Sequence, residues 1–162
     1  MITSNRYFTS WRIIALGLGI ITLLACMQRF GPGRSLDVMF YYNFDEAKLL
    51  FEGFSEDEVK KYLLIEFLDL GLILFYSLFL YISFTKLFKN LIFVRYLGLL
   101  PGVFDFIETK SIILILNQSI DYSILYWLGM ATAAKWSLGA FCALLLLLGL
   151  ALRLRPFRLS QG

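Results

Sequence analysis

Five charged side chains stand inside hydrophobic runs: Glu66 and Asp69 in one, Asp105 and Glu108 in a second, Lys135 in a third. A charge at mid-bilayer costs at least about 2.5–3.5 kcal/mol on insertion scales, so these groups call for one another, for a proton or for a bound ion. A spacing of three puts Glu66 with Asp69, and Asp105 with Glu108, on one face of each helix. If the two helices run antiparallel, E-x-x-D meets D-x-x-E, and both pairs can point at a common axis shared with Lys135. Four carboxylates against one lysine leave an excess of negative charge, which a low dielectric opposes unless a proton or cation neutralises it. Lys110, two residues after Glu108, faces elsewhere and is expected to reach for the membrane interface.

Three kinds of chemistry suit such a set. The carboxylates can hold a proton, a small cation or a cationic lipid-like ligand, the use that intramembrane acids most often serve. Two carboxylates of separated acidity can act as general acid and base on a lipid or isoprenoid. The third reading is structural, with Lys135 pairing the acids and the network fixing helix packing. The chain has no histidine, which removes Ser-His and Cys-His catalysis, imidazole ligation of haem, most zinc sites and the Glu-x-x-His di-metal pattern. An all-oxygen Ca²⁺ or Mg²⁺ site stays open, and no cofactor is expected. Cys26 and Cys142 fall at opposite membrane depths and cannot be bridged.

The elements that position these groups follow from composition. The chain of 162 residues is 59% hydrophobic, above the roughly 45–50% of soluble domains, and its mean hydropathy is +0.74. It reads as an integral membrane protein, and its scattered basic residues do not suggest a nucleic-acid partner. Four segments approach the ~20 apolar residues a crossing needs: 11–27, 62–84, 91–116 and 122–152. The expected fold is a single all-α domain over 1–162, an up-down-up-down four-helix membrane bundle. Ser55 with Glu58 makes a capping box before the second span, and Asp121 is expected to cap the fourth. Pro101, between Gly98 and Gly102, interrupts the third and frees a carbonyl one turn from Asp105. Ala15, Gly19, Thr22 and Cys26 give the first span a small-residue stripe for close helix approach. The run ahead of Leu23-Leu24-Ala25-Cys26 also resembles a lipoprotein signal with a loose lipobox; it is read here as a retained span.

Orientation follows from the basic residues. Arg6 and Arg12 precede the first span, Lys86, Lys89 and Arg95 surround the second turn, and Arg153, Arg155 and Arg158 follow the fourth span. With four crossings these share one side, so both termini are expected to be cytoplasmic. The long connection on the other side, 28–61, carries seven carboxylates. Within it Asn43 should cap a short amphipathic helix, 44–51, ended by Gly53, which lies along the membrane surface or covers the mouth of the bundle.

The order of these motifs resembles that of small bacterial four-span membrane proteins whose activity is uncharacterised. In them span two reads Y-L-L-x-E-x-x-D, span three P-x-x-x-D-x-x-E and span four K-W, here Tyr62 to Asp69, Pro101 to Glu108 and Lys135-Trp136. An L-F-E run, Leu50 to Glu52, extends the likeness to roughly residues 40–150. Thr109 departs from the Asn often found after the span-three Glu. The resemblance implies the fold and a bacterial inner-membrane location, singles out Asp69, Asp105, Glu108 and Lys135, and carries no activity. The expected function is an outward-facing site of Glu66, Asp69, Asp105, Glu108 and Lys135 for a proton, cation or cationic lipid-like ligand, in an accessory subunit or homo-oligomer.

Overall fold

The computed structural model describes residues 4–31, 35–118 and 121–154. Arg155 and Arg158 therefore lie outside the described residues. The described chain is helical: α1 (Ser4–Phe30), α2 (Phe44–Glu52), α3 (Glu56–Leu87), α4 (Ile92–Leu97), α5 (Leu100–Leu116) and α6 (Leu125–Leu154), with 3₁₀ turns at Leu36–Val38 and Tyr122–Ile124. Among the described residues three helical segments are long and apolar enough to cross a membrane, Trp11–Phe30, Glu56–Leu87 and Tyr122–Arg153.

Local chemistry sets the helix starts. Asn43 accepts the Glu46 amide at 2.9 Å while the Glu46 carboxylate accepts the Asn43 amide at 3.0 Å, the expected cap of α2. Ser55 and Glu58 form the same reciprocal pair ahead of α3. Ser55→Ala should cost about 1 kcal/mol of stability, measured by thermal unfolding in detergent, whereas an exposed serine outside a cap should cost almost nothing.

The third apolar run differs from its expectation. It is two helices broken at Gly98 and Leu99, because Pro101 cannot donate to the Leu97 carbonyl and its ring crowds the preceding backbone. The freed Leu97 carbonyl accepts the Cys142 thiol of α6 at 3.6 Å. Asp121 precedes the 3₁₀ turn Tyr122–Ile124 and its side chain makes no capping bond, so α6 starts three residues later than the sequence suggests.

Packing orders the helices. α1 lies along α3, while α5 packs between α3 and α6. Gly19 of α1 admits the Phe75 ring, which a Cβ there would meet at 2.2 Å, so the small-residue stripe works at this position. One core cluster joins Leu36, Tyr42, Phe51 and Tyr62 to Ile112, Ile115, Leu125 and Leu128; a second, at the other end, holds Leu80, Phe84, Val94 and Cys142. The connector from Ser35 to Phe54 thus packs across the start of α3, the end of α5 and the start of α6. It is pinned to α3 by the Leu36 amide on the Tyr62 hydroxyl at 3.0 Å, and to α6 by the Phe44 ring stacked 4.2 Å from Tyr126.

Candidate functional site

The five sequence-identified residues are all buried: Glu66, Asp69, Asp105, Glu108 and Lys135. Lys135 Nζ lies 2.8 Å from Asp105 Oδ1 and 2.7 Å from Glu108 Oε2. The helical repeat explains the geometry, since Asp105 and Glu108 sit three apart on α5 and turn the same way toward α6. One ammonium is answered by two carboxylates, so the cluster keeps a formal charge of −1.

Other hydroxyls complete the coordination. Tyr76 donates to Asp105 Oδ2 at 2.9 Å. Glu108 Oε1 accepts the Tyr42 hydroxyl at 3.1 Å and also the Thr132 hydroxyl. Asp69 Oδ2 accepts the Thr109 hydroxyl at 2.7 Å, which ties α3 to the same face of α5. A buried polar network is favourable only when its members are satisfied, because each unmet group retains its full desolvation cost. Lys110 is exposed, as its offset from Glu108 implies.

Sequence reasoning did not find Tyr42, Thr132 or Thr109 as partners. Thr132 stands three before Lys135 and Thr109 four after Asp105, spacings that share a helix face. For Tyr42 no such signal exists, because it arrives from the connector.

A cleft of about 320 Å³ reaches this network. Its walls are Leu24 and Met27 of α1, Val38 of the connector, Leu72 and Leu80 of α3, Pro101 of α5, and Trp136 and Gly139 of α6; its polar end is Asp69, Tyr76, Asp105 and Lys135. Leu24 and Trp136 are both 45% exposed, so the cleft opens on the flank of the bundle between α1 and α6. Glu66 and Glu108 do not line it. At the connector end Tyr42, 1% exposed, covers Glu108. Among the described residues no group of three or more acidic or cysteine side chains is gathered so as to hold a metal ion.

No family model, curated protein or solved structure matches the chain.

Proposed function

We propose that the flank cleft binds a cationic amphiphile, its head at the carboxylates Asp69 and Asp105 and its tail between α1 and α6. The observation that carries this reading is the lining: apolar walls on α1, α3 and α6 converge on a polar end that holds two carboxylates, Asp69 and Asp105, against one ammonium. An amphiphile dissolved in the bilayer reaches such a cleft sideways without leaving lipid, while a bare metal ion finds no gathered ligand set there. The surroundings we assign are those of the resembled family, a bacterial inner membrane. There α4 and α5 together supply a fourth crossing beside the three long helices, and both termini face the cytoplasm.

Gly139 provides the test. It borders the cleft, and a Cβ built on it meets nothing within 4 Å. Gly139→Leu should therefore fill the cleft while improving the intrinsic helix propensity of α6. A long-chain alkyl amine at 100 times its Kd should stabilise the wild type by about 2.7 kcal/mol, read as a rise in Tm. The same chain bearing an alcohol or phosphate should do much less. Gly139→Leu and Asp105→Asn should each abolish the amine effect. Equal stabilisation by amine and alcohol, or an amine effect that survives both substitutions, would reject the cationic site.

A further inference from the structure

The two ends of the molecule differ in charge far more than the net +3 suggests. All twelve acids lie between Asp37 and Asp69 or between Asp105 and Asp121. The end built from the last turn of α3, the turn that follows it, α4 and the last turn of α6 carries Lys86, Lys89, Arg95 and Arg153. No carboxylate occurs between Leu70 and Phe104 or after Asp121.

Packing brings the elements that carry these groups together at one end. Gly149 of α6 lies against Leu87 and Phe88, which a Cβ there would meet at 3.0 Å. Four residues on, Arg153 Nη2 donates to the Lys86 carbonyl at 3.0 Å. That contact satisfies a carbonyl left over at the end of α3 and uses one of five guanidinium donors. Val94 is buried with Leu80, Phe84 and Cys142, which fixes α4. The next residue, Arg95, is held with its guanidinium 5.2 Å from the centre of the Tyr96 ring. Its Nε is buried and has no hydrogen-bond partner, although a buried donor of this kind is costly to leave unmet. Beside it Leu91, Ile92, Phe93 and Tyr96 are exposed. Arg95 as a whole is only partly buried, so an acceptor bearing negative charge can meet its side chain next to this apolar surface.

We infer that this end binds the headgroup of an anionic phospholipid, with the phosphate at Arg95 and Lys89, Arg153 at its margin, and acyl chains along Leu91, Ile92 and Phe93. The site is separate from the flank cleft and does not depend on what that cleft binds.

Native mass spectrometry of the full chain in detergent, with added phosphatidylglycerol or phosphatidylcholine, reads the occupancy directly. Phosphatidylglycerol should bind at least tenfold more tightly than phosphatidylcholine. Arg95→Gln and Lys89→Gln should each weaken it about fivefold, the effect of one basic residue at an anionic surface, and leave phosphatidylcholine unchanged. Lys89 is exposed in a turn, so its substitution tests the site without risk to the fold. Lys61→Gln, exposed at the opposite end, should have no effect. Equal binding of the two lipids, insensitivity to both substitutions, or displacement of the lipid by millimolar inorganic phosphate would overturn the assignment, the last by making the site one for free phosphate.

Discussion

Lys135→Met should destabilise the protein by about 3–5 kcal/mol, the usual consequence of removing one partner from a buried ion cluster. Asp105 and Glu108 would be left facing each other with no ammonium between them, in a site where both are buried. Unfolding in detergent micelles measures the loss. Adding Asp105→Asn and Glu108→Gln should recover much of it, because the triple variant removes all three charges of the ion cluster. The rescue separates charge from packing: a lysine valued only for its methylene stem would be replaced by methionine at little cost, and the two amides would then bring nothing back. A Lys135→Met protein that folds as the wild type and keeps its full response to the alkyl amine would remove both the structural and the binding role of this cluster.

Gly129→Ala should loosen the connector. A Cβ at Gly129 would stand 1.9 Å from the Tyr42 carbonyl oxygen and 3.1 Å from its carbonyl carbon. Both belong to backbone and cannot swing aside as a side chain can. Overpacking of this kind costs about 1–3 kcal/mol, against a gain of at most about 1 kcal/mol in helix propensity. The connector must lift, and the Tyr42 hydroxyl then leaves Glu108. Limited trypsin digestion should cut faster at Lys48 in this variant than in the wild type. Gly17→Ala, where nothing stands within 4 Å of the new Cβ, should digest as the wild type does. Equal rates for all three would mean that the connector is not seated on α6.

Features that depend on near neighbours in the chain were legible in advance. The capping box of Ser55 and Glu58 and the cap at Asn43 need only residues within one turn, and the E-x-x-D, D-x-x-E and lysine positions need only the helical repeat; that Glu46 completes a second box came from the structure. The break at Pro101 was signalled by the residue itself, but its extent was not. The Leu97 carbonyl can stay out of the ladder because Cys142, 45 residues away, answers it. Tyr42 lies 66 residues from Glu108, and nothing separates it beforehand from Tyr41, which is 54% exposed. The flank cleft was illegible for a related reason. It exists because α1 follows α3 without closing against α6, and no local pattern in either helix encodes that gap.

The division of charge between α5 and α6 bears on how the chain enters a membrane. Both carboxylates of the ion cluster belong to α5 and its ammonium to α6, so α5 is finished before its counter-charge has been synthesised. At roughly 5–20 residues per second, the interval from Glu108 to Lys135 lasts a few seconds. During that time α5 has no favourable place in lipid, since each carboxylate opposes insertion by about 2.5–3.5 kcal/mol. In the four-crossing arrangement proposed above, α5 therefore waits in the insertion machinery or at the bilayer surface, and passes into the membrane only with α6, as a hairpin that carries its own counter-charge.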